Sequence, residues 1–412
     1  KVAAILKAPI VGDNPWVSRL PALIFAHVVG TVNIVSVMAM APVISADLSL
    51  GAAEFGAFVS VYYGAQALGS MPAGAITDRY GVGRSLVAAH VLMCIAAVTL
   101  ALADGYVQCL GAMFLMGIGY SMNNPSTARG VLDWFPRARR GTAMGLKQVG
   151  VPIGGVIAAG NGVLAATVPW QSIMWGVAGL IILNGFFCLG LLRFHVPLPA
   201  DQRKSIVANL GDVLKDTNFN IYAIANGMLN VGQTNFFGFL TLFLTGAAKA
   251  SQEMAGFAIG LAQVVSAGAR IGWGVVSDRF YNGRRAVLMA WLCGTAAVFL
   301  CLMALVSAGA ISGFALTVGL GLTVALGITI ASFAPVAQAI VVEAVEPRLA
   351  GSAIGVNMVG VHIGGMLGPV MFGYIVDHWG GFEVAWLATG AVVAVGTLMI
   401  IFMFTERAGR DV

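Results

Sequence analysis

The sequence contains very little charge. Only 9% of its 412 residues are Asp, Glu, Lys or Arg, whereas 59% are hydrophobic and the mean hydropathy is +0.90. A soluble domain carries roughly a quarter charged residues, and 22 basic with 17 acidic side chains cannot cover the surface of a 42.5 kDa globule. This composition excludes a water-soluble fold and predicts an integral membrane protein.

Signatures of catalysis and of metal binding are also missing. The five cysteines form no CxxC pair and have no histidine at ligand spacing, so we expect neither a disulfide framework nor a metal site. No HExxH, GxSxG or P-loop motif occurs, and no paired acids lie inside apolar runs. We therefore expect no enzymatic activity and no cofactor. The basic residues do not cluster in a soluble domain, so nucleic acid is not an expected partner.

Apolar runs long enough to cross a bilayer recur twelve times along the chain. About 20 residues are needed to cross roughly 30 Å of hydrocarbon. The predicted spans, numbered 1 to 12, are 20–46, 52–76, 84–104, 106–130, 142–166, 171–193, 217–246, 254–277, 285–308, 311–342, 350–376 and 383–405. We therefore predict an all-α membrane protein with two pseudo-symmetric six-helix bundles, residues 1–193 and 217–412, joined by a cytoplasmic linker over 194–216.

Positive charge is distributed unevenly between the two sides of the predicted membrane. If the termini and the even-numbered connections share one side, 19 of the 22 Lys and Arg lie there, with Lys249 opposite and Lys147 and Arg270 inside spans. The positive-inside rule makes this side, called the basic face below, cytoplasmic. We expect a multi-pass monomer in a cell membrane, most simply a bacterial inner membrane, with both termini in the cytoplasm.

Two sequence patterns occur in both halves of the chain. The segment from Gly74 to Arg84 closes span 2 and matches the segment from Gly274 to Arg284 in span 8, with Asp-Arg pairs 200 residues apart. Residues 141–155 match 351–365 at a constant offset of 210. Glycine-rich helix faces let another helix lie close and slide, and Asp and Arg at a helix end can latch neighbouring helices. The predicted cytoplasmic latch comprises Gly74, Asp78, Arg79, Gly81, Arg84, Gly274, Asp278, Arg279 and Arg284.

With these motifs and twelve spans, the chain resembles transporters of the major facilitator superfamily over essentially its whole length. The first Asp-Arg segment matches this family's cytoplasmic signature, and the second is a looser copy. The resemblance implies two bundles that rock about a central site. The segment around Arg270 is similar to the eighth helix of the oxalate/formate antiporters and monocarboxylate transporters, where an Arg eight residues before the signature acid binds substrate carboxylate. Residues 123–141 resemble the connection between the fourth and fifth helices in these groups.

Two cations lie inside the predicted spans, whereas all the acids lie in connections or at span ends. Lys147 and Arg270 are each roughly 8–10 Å from the basic face, and the resemblance implies that both reach the wall of the central cavity. An anionic substrate is the expected partner, because Arg can grip a carboxylate bidentately and Lys can act as a point charge. The alternatives are that Lys147 snorkels to the interface and that Arg270 pairs with helix ends or Asp278.

Amides and tyrosines complete the predicted substrate site. Asn226, Asn230 and Gln233 lie close to one face of span 7. The candidates from the first half are Tyr62, Tyr63, Gln66, Tyr120 and Asn33. Within lipid, such groups are satisfied either by substrate and water or by neighbouring helices.

Histidines are the candidates for proton coupling. His362 lies in the region where oxalate-type antiporters carry a basic residue, and Asn357 is the other possible match in a different register. Imidazole titrates near neutral pH, so His362 and His27 are predicted to couple substrate to protons, with packing roles as the alternative. Many monocarboxylate transporters have an Asp four residues before the substrate Arg, but this chain has Ser266, so coupling by that route is not expected.

The motifs, the family resemblance and the two cations together predict secondary active transport of a small organic anion, a monocarboxylate or small dicarboxylate, by alternating access. Proton symport, anion exchange and uniport all remain open. The alternative is a nitrate/nitrite or other small inorganic anion transporter, since that branch also has an Arg in its eighth helix. It expects a further Arg in the second helix, and residues 59–76 contain none. The expected partners are the anion, a co-transported proton and the lipid bilayer.

Overall fold

The computed structural model describes residues 14–136, 139–194, 211–280, 284–307, 312–345 and 350–406. Within these ranges the regular structure is helical and no strand is present. Most of the predicted linker, residues 195–210, lies outside the described residues.

The described helices form twelve rods in the predicted order, which confirms the fold class. In the first half, span 1 is Leu20–Ala39, span 2 Ala52–Tyr80, span 3 Val82–Ala101, span 4 Tyr106–Ser121 with Asn123–Trp134, span 5 Arg140–Gln148 with Gly150–Leu164, and span 6 Trp170–Gly190. In the second half, span 7 is Thr217–Gly246, span 8 Gln252–Phe280, span 9 Arg285–Ser307, span 10 Ala315–Ile328 with Ala334–Glu343, span 11 Ala350–His378, and span 12 Gly381–Phe402. Short helices Pro15–Ser18 and Ala41–Asp47 flank span 1.

Eight spans are long and apolar enough, by length and composition, to cross a membrane. A ninth counts if Ala41–Asp47 and Ala52–Ser70, bent by 119°, are taken as one span. The other three, spans 4, 7 and 10, are interrupted or polar: spans 4 and 10 are each broken into two helices, and span 7 carries a row of amides. A count by length and hydropathy alone therefore gives fewer spans than the twelve helical rods of the described residues.

Three spans contain breaks that the apolar runs did not predict. Span 4 is interrupted at Met122, span 5 at Val149 and span 10 over residues 329–333. The second helix of span 4 continues to Trp134, so residues 123–134, which resemble a connection, are helical. This corrects the predicted end of span 4 at residue 130.

The two halves meet along four glycine stripes in the portion of the membrane away from the basic face. Outer glycines of spans 2 and 11 pack on the other half, Gly56 against Pro369 and Gly373 against Ala52. Spans 5 and 8 meet in the same way, with Gly162 against Gly256. Glycine is needed at these contacts because a Cβ there would overlap the backbone of the opposite helix.

The same helix faces are separated nearer the basic face. Gly74, Gly274 and Gly355 lie 18 residues from Gly56, Gly256 and Gly373 respectively, which is five helical turns and therefore the same face. At each of Gly74, Gly274 and Gly355, a Cβ would meet no atom within 4 Å. The halves are therefore closed at the outer face and open toward the basic face.

Polar contacts also close the outer face. Both carboxylate oxygens of Asp377, at the end of span 11, accept hydrogen bonds from the first turn of span 2, from the backbone N–H of Ala52 at 3.0 Å and of Ala53 at 2.7 Å. Nε2 of Gln252 donates to the carbonyls of Ala39 and Gly162, both at 2.9 Å. These bonds join opposite halves, so they must break when the outer face opens.

Candidate functional site

The break in span 10 positions Arg270. Because the helix is interrupted over residues 329–333, carbonyls at the break, those of Ile330 and Ala331, accept hydrogen bonds from other spans. Nη2 of Arg270 donates to the carbonyl of Ala331 at 2.9 Å, and Oγ of Ser266, one turn earlier, donates to the same oxygen at 3.1 Å. The indole of Trp273 donates to the carbonyl of Ile328 at 2.8 Å. Three side chains of span 8 are thereby fixed on span 10.

The Arg270 guanidinium lies within electrostatic range of Tyr120, which is in span 4 of the first half. Its Nε is buried without a hydrogen-bond partner in the described part of the chain, and none of the described carboxylates pairs with it. The side chain of Asp278, the other predicted partner, lies outside the described side chains. Arg270 is thus a cation at the interface of the halves, and its Nε is a hydrogen-bond donor without a described acceptor.

Tyrosines lie on the first-half side of the interface near Arg270. The region around Arg270, Tyr62, Tyr63, Tyr120 and His362 is called the chamber below. The ring of Tyr120 lies against Gly30, where any side chain would overlap it. Tyr62 is 2% exposed, with its ring centroid 6.3 Å from that of Tyr120 and 5.2 Å from that of Tyr63. The structure therefore brings the three predicted tyrosines, Tyr62, Tyr63 and Tyr120, together.

His362 also reaches this chamber from span 11. Its ring centroid is 6.4 Å from that of Tyr63, and its Nδ1 lies 3.2 Å from Oγ of Ser70 in span 2. The Ser70 hydroxyl donates to the carbonyl of Gln66 at 2.6 Å, so Oγ accepts from the histidine ring and Nδ1 carries the hydrogen. His362 therefore joins the halves next to the tyrosines.

The predicted amides bond to neighbouring helices of their own bundle. Nδ2 of Asn226 donates to Oδ1 of Asn357 at 2.8 Å, Nδ2 of Asn230 to the carbonyl of Val361 at 2.7 Å, and Nε2 of Gln233 to the carbonyl of Ile330 at 3.0 Å. Each of these three amides therefore has one donor bonded within its own bundle, as in the alternative that the sequence left open. A substrate role for Asn226, Asn230, Gln233 and Asn357 stays a prediction.

Lys147 lies inside the first bundle. Its side chain is 2% exposed, and its Nζ donates to Oγ1 of Thr127 at 3.1 Å. Nε2 of His27, which is 1% exposed, lies 3.0 Å from the same oxygen. Asn357, the repeat equivalent of Lys147, is likewise buried against its own bundle. Lys147 and Arg270 therefore bond to different partners in this conformation, and their shared role in binding a substrate carboxylate stays a prediction.

The latch segment of the first half makes contacts within that half. Nη1 of Arg129 lies 3.9 Å from Asp78, and its Nε lies 2.8 Å from Asp133. Gly81 has φ 86°, a conformation that favours glycine, and ends span 2. Arg79 lies over the ring of Tyr80, whereas Arg84 is exposed. In the second half Arg284 is exposed, and the side chains of Asp278 and Arg279 lie outside the described part of the chain.

Sequence reasoning did not identify Ser70, Thr127 or Asp377 as site residues. Each acts through a partner distant in the chain: His362, His27 and Ala52 respectively. Short polar side chains in apolar helices are common, and their role depends on which way the helix is rotated. One signal was available for Thr127, because it is one turn from Asn123 on the polar side of the second span 4 helix.

Comparison with known proteins assigns the fold and supplies relatives. A family model described as Major Facilitator Superfamily matches residues 23–325 and 222–411. A hexuronate transporter of Bacillus subtilis is 25% identical over 95% of this chain and 96% of its own length. A probable sulfoacetate transporter of Cupriavidus necator is 24% identical, with 93% of each chain covered. A probable L-galactonate transporter of Escherichia coli is 23% identical over 93% of this chain and 88% of its own.

Solved structures agree with the two-bundle arrangement. The crystal structure of the nucleoside transporter NupG, in a mutant form, superposes with a TM-score of 0.76 at 17% identity, covering 94% of this chain and 100% of that chain. At this identity the likeness shows the shared fold alone.

Proposed function

The chain belongs to the Major Facilitator Superfamily of membrane transport proteins, and from this premise we propose that it carries small organic anions by alternating access. The single observation that supports this most is Arg270, a guanidinium at the interface of the halves with an unpartnered Nε and no described carboxylate beside it. A buried cation without a counter-ion is costly, and a substrate carboxylate would offset that cost.

The chamber around Arg270 suits a carboxylate with hydroxyl groups. Arg270 would bind the carboxylate, and Tyr120, Tyr62 and His362 would contact the rest of the molecule through ring faces and hydrogen bonds. The relatives are named for transport of hexuronate, L-galactonate and sulfoacetate, all small organic anions, and this favours the same class here. Sugar acids are therefore the first candidates within the monocarboxylate and small dicarboxylate class.

The open basic face and closed outer face correspond to one of the two states that alternating access requires. Glycines that pack at the outer face have open counterparts five turns away, so the same helix faces can close at the other side. In this scheme Lys147 and His27 lie behind the chamber in the first bundle. Proton symport, anion exchange or uniport would each use the same rocking motion.

Binding and uptake of a defined panel test the proposal. Purified protein would be screened by thermal shift against D-glucuronate, L-galactonate, sulfoacetate, lactate, oxalate and nitrate, with D-glucose as the neutral match to D-glucuronate. We expect at least one organic anion to stabilise the protein and D-glucose to have no effect. Stabilisation by nitrate alone would favour the inorganic-anion alternative.

Variants at Arg270 separate charge from geometry. We expect Arg270→Gln to weaken anion binding at least tenfold, a loss of about 1.4 kcal/mol or more, and Arg270→Lys to recover part of it because the charge returns without the bidentate fork. In proteoliposomes, uptake should saturate with substrate. Unchanged affinity in Arg270→Gln, or an ohmic conductance, would refute the proposed carrier and its site.

A further inference from the structure

Thr127 lies between two basic side chains inside the first bundle. Its Oγ1 accepts a hydrogen bond from Nζ of Lys147 at 3.1 Å and lies 3.0 Å from Nε2 of His27. The Thr127 hydroxyl donates to the carbonyl of Asn123, one helical turn back, at 2.7 Å. Oγ1 is therefore an acceptor toward both basic groups, which assigns the Nε2–H tautomer to His27.

This tautomer leaves Nδ1 of His27 as a vacant proton acceptor. Nδ1 is buried and has no hydrogen-bond partner among the residues that the structure describes. A proton there would create a second positive charge near the ammonium of Lys147. The two donor nitrogens share Oγ1 of Thr127, so they are at most about 6 Å apart. Two cations at this separation repel each other strongly away from water.

Among the residues that the structure describes, no Asp or Glu side chain bonds to His27. Span 5 contributes Lys147, whose charge acts on His27 directly. Span 4 contributes Tyr120, which packs on Gly30 about one turn along span 1, and Arg129, which is engaged by Asp78 of span 2 and Asp133. Span 3 contributes His90, whose two nitrogens are both bonded, to Leu86 and Asn184. The electrostatic potential at His27 therefore depends mainly on Lys147 and on any anion bound in the chamber.

We propose that Lys147, Thr127 and His27 form one proton-binding unit, which takes up a proton from solvent on Nδ1 of His27 when an organic anion binds in the chamber. The proposal rests on the proposed transport of organic anions. The anion brings negative charge to the Arg270 and Tyr120 side of the first bundle and offsets the repulsion between the two basic groups. By linkage, a proton on His27 strengthens anion binding by the same factor, typically 5- to 150-fold for coupled sites.

Thr127 is a positioning residue in this unit. Its hydroxyl fixes the tautomer of His27 and holds the ammonium of Lys147 at a defined distance. Serine retains the hydroxyl, whereas valine has the same shape without it. Thr127→Val should therefore uncouple proton uptake from anion binding, and Thr127→Ser should preserve the coupling.

Calorimetry of the full chain in detergent measures the coupling directly. D-glucuronate, L-galactonate and sulfoacetate would each be titrated in two buffers that differ in ionisation enthalpy, which gives the protons taken up per anion bound. For the wild type we expect uptake that approaches one proton, and an affinity that falls by up to tenfold per pH unit through the titration range. We expect at least a fivefold lower uptake in His27→Gln and in Thr127→Val, with near wild-type uptake in Thr127→Ser.

The matched control is His90→Gln, another buried histidine of the same bundle whose ring nitrogens are already bonded. It should keep wild-type uptake. Anion binding with the same uptake in His27→Gln as in the wild type would overturn the proton-binding unit and leave the transport proposal intact. Failure of all three anions to bind the wild type would overturn both. If Thr127→Val does not fold, the His27→Gln and Thr127→Ser results decide alone.

Discussion

Removal of Asp377 should open the outer face. Its carboxylate accepts two backbone hydrogen bonds, at 3.0 and 2.7 Å, from the first turn of span 2 in the opposite half. Gly51, next to this turn, lies directly against the carboxylate. The bonds combine a charged acceptor with the positive end of a helix. They exist only while the outer face is closed, so they stabilise this state over the one open to the other side.

The size of the effect follows from the exposure of the carboxylate. A charge at a helix N-terminus is worth about 0.3–1 kcal/mol when exposed and up to about 2 kcal/mol when partly buried. Asp377 is exposed but sits against two N–H groups, so we take about 1–2 kcal/mol for its full removal. This corresponds to roughly a 5- to 30-fold change in the ratio of the two states. Asp377→Ala should show the whole change, and Asp377→Asn, with one acceptor oxygen, about half of the free energy.

Distances between spin labels at the outer face would measure that ratio. In a background without native cysteines, labels at Leu102 and Phe314, exposed positions of opposite halves, report the outer opening. We expect the long-distance population to grow in Asp377→Ala. Glu383→Gln is the control, because that carboxylate lies in the first turn of span 12, next to the same face. An unchanged distance distribution in Asp377→Ala, or an equal change in Glu383→Gln, would refute the proposed role of the Asp377 hydrogen bonds in holding the outer face closed.

Three further perturbations test other parts of the structure. Gly74→Val should fold normally, because nothing lies within 4 Å of the added Cβ, but it should stop transport with the basic face open. The control Gly179→Val in span 6 should transport normally. Wild-type uptake by Gly74→Val would contradict closure along this stripe. Ser266→Asp places an acid one turn from Arg270 and should weaken anion binding at least tenfold by pairing with the guanidinium. Ser266→Ala should bind the anion within about threefold of the wild type. Equal affinities of the two variants, measured by calorimetry, would count against the Arg270 site. Burial and the nearby Glu343 raise the pKa of Glu406 above 4.5, although hydrogen bonds from the backbone of Arg285 and Ala286 oppose this. Because the folded protein then holds this proton to a higher pH than the unfolded chain, the melting temperature of the wild type should fall relative to Glu406→Gln as pH rises above about 4.5; a difference that is constant or opposite in sign would disprove it.

The sequence predicted the membrane fold well because hydrophobic length is a local property. The boundaries of span 7 agree with the apolar run over 217–246, and those of spans 9, 11 and 12 differ by only a few residues. The break in span 10 was not predicted, because the apolar run over 311–342 continues through it. Its position could not be predicted, because it depends on donors from Gln233, Ser266 and Arg270 that lie in other spans.

The depth of a charged side chain was easier to predict than its direction. Lys147 and Arg270 were assigned similar depths, but Lys147 bonds to Thr127 of its own bundle, whereas Arg270 bonds to the break in span 10 and lies within electrostatic range of Tyr120. Span 5 breaks at Val149, two residues after Lys147. Span 5 carries small or apolar residues on most sides, so its hydrophobic pattern does not define one buried face. Asn226 illustrates the same limit, since spacing placed it on the polar face but could not reveal Asn357 as its partner.

The spare positive charge of Arg270 also links binding to the motion between states. Arg270 is partly buried in this conformation, in which the basic face is open. Closing the stripes of Gly74 and Gly274 would bury it further and raise the cost of an uncompensated cation. A ligand shifts a conformational equilibrium only by its differential affinity for the two states. In the proposed cycle, an anion bound to Arg270 would gain most where water is excluded. It would therefore favour the state in which the basic face has closed over it, which is the step that transport requires.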